Sequence, residues 1–224
     1  MSIPTPLFSH ICDFPDVYEP AEDTFVLLDA LESEKKFIQQ LNPTIAVEVG
    51  CGSGVVMAFL GSILQNNTLY LCTDKNPNAA LCTQKTSQVN SQTIDVVVTD
   101  LATCMLPKME KLVDMLIFNP PYVPSLPEET KSCNISAAWA GGIDGRQVMD
   151  RFFSLVPKLL SQKGVFYLVT IQANKVREIE QYFSDIGFSA VPVLSRRCGL
   201  EHLIVYKISR KKLWTSLFIG DGIL

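Results

Sequence analysis

Apolar runs too short for helices recur along the chain: IAVEVG (45–50), LYLCTD (69–74), IDVVVTD (94–100), VDMLIFN (113–119), GVFYLVT (164–170), AVPVLSRR (190–197) and EHLIVYKIS (201–209). Several lack the alternation of a half-exposed strand, which predicts strands buried on both faces. Between them the spacing predicts helices over 54–64, 77–90, 145–161 and 174–186. Another helix is predicted to begin near residue 21. There Phe25, Leu28, Leu31 and, less regularly, Phe37 and Ile38 recur at helical spacing, with acidic residues near the start. Strands alternating with helices predict an α/β fold, a mostly parallel sheet with helices on both faces. The last two strands are joined by the short RRCGLE, a hairpin signal, so one late strand is expected to be antiparallel. Residues 1–20, with four prolines, read as an N-terminal extension, 21–209 as the domain, and 210–224 as a tail. The apolar end, LWTSLFIGDGIL (213–224), exceeds what the sheet needs. No internal repeat is present.

Length and composition narrow the class. A chain of 224 residues, 47% hydrophobic, suffices for one sizeable core. The net charge of −4 and pI near 5.2 argue against strong nucleic-acid binding, which needs clustered Lys and Arg. The basic cluster Ser209-Arg210-Lys211-Lys212 reads as solvated surface. Seven cysteines stand singly with no CxxC pair, and there are two histidines, so no metal site is expected. His10 and His202 read as structural or exposed. Cysteine usage suits reduced thiols, hence a cytoplasmic or nuclear location. The first ten residues lack the pattern of a secretory leader. No apolar run reaches the ~20 residues of a membrane span. The sequons at Asn66 and Asn134 then read as chance matches.

Candidate chemistry lies at the strand ends, where open α/β sheets bind ligands. VEVGCGSG places Gly50, Gly52 and Gly54 at a strand-to-helix turn. Val55 breaks the dinucleotide fingerprint, and there is no P-loop GK[ST]. Alone, the glycines fit plain turn geometry as well as a ligand cradle. Asp74 follows by roughly 20 residues, where an acid can chelate a ribose diol. It is also a candidate helix cap, but Asn76-Pro77 fits that role better and leaves Asp74 for a ligand. Asp100 ends the third strand, placed to accept from an adenine amine or to serve as a turn acid. Asn119 ends the fourth and runs into Pro120, Pro121 and Tyr122. A ligand with an adenine, a ribose and an amino-acid end, and no phosphate, uses all of these groups. S-adenosylmethionine is such a ligand.

With VEVGCGSG, CTDKNP, VTDL and above all FNPPY, the chain resembles the HemK-type class I methyltransferases, the release-factor glutamine methyltransferases. DVYEPAEDTFVLLDAL (16–31) and AAWAGGIDGRQVMDRFF (137–153) resemble their short eukaryotic and archaeal branch. The resemblance spans residues 14 to about 208. It implies a Rossmann-like methyltransferase domain whose seven-stranded sheet runs 3-2-1-4-5-7-6. It implies S-adenosylmethionine as cofactor, held by Thr24, Glu48, Gly50, Asp74, Asp100, Leu101 and Asn119. Asn119, Pro120, Pro121 and Tyr122 would bind substrate, with Asn119, Pro120 and Tyr122 catalytic. Trp139 and Arg146 would flank the pocket, or serve as packing and as a helix-start charge. The implied partners are a translation release factor, as substrate through its Gly-Gly-Gln loop, and a small zinc-binding activator subunit. That subunit would form a heterodimer by adding a strand to the edge at IDVVVTD.

The NPPY motif has a chemical reading of its own. An amide nitrogen is a poor nucleophile because its lone pair is delocalised into the carbonyl. The Asn119 side-chain oxygen and the Pro120 carbonyl can hold its two hydrogens and aim the nitrogen at a methyl donor. Prolines 120 and 121 fix φ and stiffen the acceptor pair, and Tyr122 can cover a planar group. Adenine N6 methyltransferases share the motif, and lysine methylation is a further alternative. The acidic pI favours a protein substrate. A non-catalytic binding relic would have no need of the acceptor pair.

Overall fold

A computed structural model describes residues 2–64, 68–126 and 138–211. The Asn66 and Asn134 sequons, Cys133 and the apolar tail from 212 lie outside them, apart from Thr68.

The described residues form a seven-stranded sheet: β1 (Ile45–Val49), β2 (Leu69–Asp74), β3 (Ile94–Val98), β4 (Val113–Phe118), β5 (Leu160–Ile171), β6 (Phe188–Cys198) and β7 (Glu201–Arg210). The order is β3-β2-β1-β4-β5-β7-β6. Strands β1 to β5 pair in parallel, and β7 is antiparallel to both neighbours. A separate two-stranded parallel ribbon, Val123–Pro124 with Ala140–Gly142, was not expected from the sequence.

The helices are α1 (Glu22–Ser33), α2 (Lys35–Leu41), α3 (Val55–Leu64), α4 (Pro77–Val89), α5 (Gln147–Phe153), α6 (Val156–Leu159) and α7 (Val176–Asp185). The single helix expected over 145–161 is two short ones. Pro157 lacks an N–H and is accommodated only in a helix's first turn, so a new helix starts there. β5 begins at Leu160, earlier than expected, because Leu160 pairs with Val113 across a register shift. Gly164 sits in that irregularity, where a Cβ would lie 2.6 Å from the Val113 carbonyl oxygen. Helix α7 keeps a clean stripe, burying Val176, Ile179 and Phe183. Helix α1 is buried more widely, because it contacts α3 as well as β6 and β7.

On one sheet face an aromatic cluster ties α5 and α7 to the strands. Phe152 stacks edge-on against Phe118 with centroids 5.0 Å apart, and Phe153 against Phe183 at 5.0 Å. On the other face, Tyr167 and Lys207 reach Glu34 at the α1–α2 junction. Residues 2–20 are not a loose extension. Leu7 exchanges backbone hydrogen bonds with the Asn90 side chain, His10 bonds Thr86, and Ile11 and Val17 pack on Ala79 and Cys82 of α4.

Candidate active site

The carboxyl ends of β1, β2 and β4 bring most of the sequence-predicted residues together. After β1 the chain turns through Gly50, Gly52 and Gly54, at φ +67°, +49° and +77°. The amides of Gly50 and Cys51 donate to the Thr73 carbonyl at 2.7 and 3.0 Å. Gly54 is required by packing, since a Cβ there would lie 2.8 Å from Thr83 Cα of α4. Gly52 faces open space, with no atom within 4 Å of an added Cβ. The turn thus leaves room for a ligand against its backbone.

Asp74 closes the turn from β2. Its Oδ2 accepts from Gly52 N at 3.0 Å and its Oδ1 from Asn76 N at 2.9 Å. Asn76 caps α4 by accepting from Asn78 N, with Pro77 following, as expected of that pair from the sequence. Burial raises the Asp74 pKa, against the pull of the Asn76 and Gly52 amides.

Glu48 lies beneath the turn, 2% exposed, near Cys72 Sγ and the Met57 backbone of α3. Burial, then the nearby Asp74 charge, pushes its carboxyl up to about 8 from an ordinary 4.5. The folded state therefore binds a proton here between pH 4.5 and 8 that the unfolded chain has released. The resulting stability is full below 4.5 and is lost as pH rises towards 8. Glu48→Gln is expected to melt like the parent near pH 5. Towards pH 8 it should gain on the order of a few kcal/mol. Parallel melting curves across that range would exclude this reading.

Asp100 is not brought into polar contact with this group. It is exposed and ion-paired to Arg151 of α5, while Thr103 Oγ1 donates to its carbonyl at 3.1 Å. Leu101 follows at φ +55° with its side chain buried. Thr24 is buried in the first turn of α1.

Asn119 leaves β4 with its two amide ends in different circumstances. Nδ2 donates to Asp23 Oδ2 at 2.7 Å. Oδ1 is buried and has no partner among the described residues. Pro120 is buried behind it, and Pro121 half-buried. The same Asp23 accepts from the Tyr18 hydroxyl at 3.1 Å. Tyr122 is buried, and its phenol pKa is raised by burial first, then by the charges of Asp23 and Glu201. It stays a neutral donor and a flat apolar surface.

Sequence reasoning missed three residues. Tyr18 and Asp23 stand in the very DVYEPAEDT segment singled out, where an acid buried in a helix's first turn is the available signal. Asn174 is the third. It is fully buried, and its Nδ2 donates to the carbonyls of Tyr122 and Asp144 at 2.8 and 2.9 Å. Its Oδ1 accepts from Ile171 N at 2.7 Å. Asn174→Ala strands two buried backbone groups and one half-buried carbonyl and is expected to cost ~2–4 kcal/mol, checked by denaturant unfolding. A loss below ~0.5 kcal/mol would show that the loop is held otherwise. Arg146 serves as a helix-start charge, paired with Asp150 at 2.9 Å and Glu178 at 2.7 Å, and Trp139 is partly exposed.

A sheet in this order, with a glycine turn after β1, an acid ending β2 and an Asn-Pro-Pro-Tyr after β4, defines a class I Rossmann-like methyltransferase. Residues 22–135, half the chain, match the methyltransferase small domain family. The chain is 50% identical over 211 residues to the methyltransferase HEMK2 of Mus musculus, covering 93% of this chain and 98% of that one. It is 28% identical over 198 residues to the release factor glutamine methyltransferase of Corynebacterium glutamicum, covering 83% of this chain and 66% of that one. Among solved structures it superposes, with a TM-score of 0.66 and 28% identity, on a chain of the E. cuniculi Mtq2–Trm112 complex responsible for methylating the eRF1 translation termination factor. That match covers 88% of this chain and 99% of the other. The chain belongs to the HemK-type methyltransferases of the methyltransferase small domain family. Their methyl donor is S-adenosylmethionine, and the site fits it: the space at Gly52 and the acid at Asp74 are both in place.

Proposed function

We propose that the chain methylates the side-chain nitrogen of a glutamine in a translation release factor, in its Gly-Gly-Gln loop. The observation that carries this reading is the buried, unpartnered Oδ1 of Asn119 beside the Pro120 backbone. A buried acceptor without a donor costs ~1–3 kcal/mol, and an incoming NH₂ group repays that cost.

When bound, S-adenosylmethionine supplies an electrophilic methyl on a sulfonium centre. Gly50 and Gly52 would let its amino-acid end approach the backbone, Asp74 would hold the ribose diol, and Thr24, Glu48 and Leu101 would line the cofactor. Asp100, which pairs with Arg151 in this structure, would take the adenine amine. On the substrate side, Asn119 Oδ1 and the Pro120 carbonyl hold the two amide hydrogens, and Tyr122 covers the planar group. These groups would hold the nitrogen in line with the methyl that the cofactor supplies, whose carbon–sulfur bond breaks as the nitrogen–carbon bond forms, with S-adenosylhomocysteine as leaving group and one nitrogen proton passing to solvent. The chain's contribution is positioning and electrostatics rather than a strong base.

The edge strand supports a protein partner. Among the described residues β3 pairs with β2 alone, and its Val97 and Val98 are 40% and 52% exposed. We infer that a small activator subunit with zinc of its own covers this edge, and the solved Mtq2–Trm112 complex supports a second chain as partner. The work would take place in the cytoplasm or nucleus. Two rival acceptors remain to be separated, adenine and lysine. The purified chain with labelled cofactor should label a release factor strongly, and a lysine peptide and an adenine oligonucleotide weakly or not at all. Preferential labelling of the oligonucleotide would replace this reading with the nucleic-acid one.

A further inference from the structure

We propose that Asp23 is a positioning residue that decides which end of the Asn119 amide meets the substrate. A primary amide has an accepting and a donating end of nearly the same shape, and rotation about χ2 exchanges them. A substrate NH₂ group is served only by the accepting end. Nothing within Asn119 itself selects that orientation.

Asp23 selects it. The residue sits in the first turn of α1, 4% exposed, 96 positions away in the chain from Asn119. Its carboxylate can accept hydrogen bonds and not donate them. With Nδ2 at 2.7 Å from Asp23 Oδ2, the observed orientation forms a charge-assisted bond and turns Oδ1 away as a buried free acceptor. The reversed orientation sets the amide oxygen against the carboxylate and loses that bond. Asp23 is itself held by the Tyr18 hydroxyl, 3.1 Å from Oδ1, so its own rotamer is fixed. Charged groups beside this pair come from other elements too: Glu201, at the start of β7, acts on both Tyr18 and Tyr122. The inference rests on the amide-methyltransferase reading of the site, although the contact itself does not.

The test compares the parent chain with Asp23→Asn. Asp23→Asn keeps shape and the acceptor for Tyr18 but can donate as well, so both orientations of Asn119 become populated. The turnover number on a glutamine peptide should fall by ~10- to 100-fold with cofactor affinity, read by calorimetry, largely kept. A reversed Asn119 presents donors, so the same peptide carrying glutamate at the target position should inhibit the variant better, relative to the parent. A structural role alone would not move that glutamine-to-glutamate discrimination. Unchanged turnover, or reduced turnover with unchanged discrimination, would overturn the proposal. Should the parent fail to methylate glutamine, the reading of function fails separately. The Asn119 side-chain amide resonances then decide on Asp23. A hydrogen-bonded Nδ2 proton signal that shifts in Asp23→Asn supports the proposal, and an unmoved signal contradicts it.

Discussion

Asn119→Ala is expected to lower methyl transfer by ~10²-fold or more while the fold survives. The size follows from where the lost group acts. Oδ1 has no partner among the described residues, so its removal breaks no contact there and relieves an unsatisfied acceptor. The structural cost comes instead from Nδ2, whose loss leaves the buried Asp23 carboxylate short of one donor, worth ~1–2 kcal/mol. The catalytic cost is larger because the acceptor is used most in the transition state, when the nitrogen gains positive character. Steady-state kinetics should show the loss in kcat rather than in KM, with the melting point lowered by only a few degrees. Near-parental turnover in Asn119→Ala would remove Asn119 from the mechanism.

The second large effect is on assembly. Val97→Lys adds a charge near the carboxyl end of β3, on a side chain 40% exposed in the chain by itself. A lysine there can reach solvent, so folding of this chain is expected to change little. In a complex that adds a strand to this edge, the same ammonium is buried without a partner. The expected loss is ~2 kcal/mol or more of association energy, at least ~30-fold in affinity. Co-purification with the activator subunit should fail while the isolated chain keeps its melting point. Undiminished co-purification would place the partner elsewhere. The positive mean hydropathy of +0.21 is in keeping with a surface that works covered.

Much of this architecture was legible in the residues because its signals are local. Apolar runs such as VDMLIF and GVFYLVT define strands by length and lack of alternation. RRCGLE sets a hairpin that Cys198 and Glu201 close by pairing. Asn76-Pro77 marks a helix start by capping chemistry alone. What was missed depends on long-range contacts. The bond between Asp23 and Asn119 spans 96 positions, and that between Asn174 and Tyr122 spans 52; no spacing rule connects such pairs. The ribbon between Val123–Pro124 and Ala140–Gly142 is too short to leave an apolar pattern. Pro157 marks the break within 145–161 by its missing N–H, although helical spacing continues across it. Asp100 shows the reverse limit. Its place at a strand end was legible, but its pairing with Arg151 of α5 was not, because that depends on how the helix packs.

The central claim is the acceptor atom. The most direct test incubates the chain, with its activator subunit where one is required, with a release-factor fragment and labelled S-adenosylmethionine. Fragmentation mass spectrometry then locates the label. The account predicts one methyl group on the side-chain nitrogen of the glutamine in the Gly-Gly-Gln loop, absent when that glutamine is replaced and absent with Asn119→Ala. A methyl group on a lysine or another residue of the fragment, or label that persists without the glutamine, would contradict it.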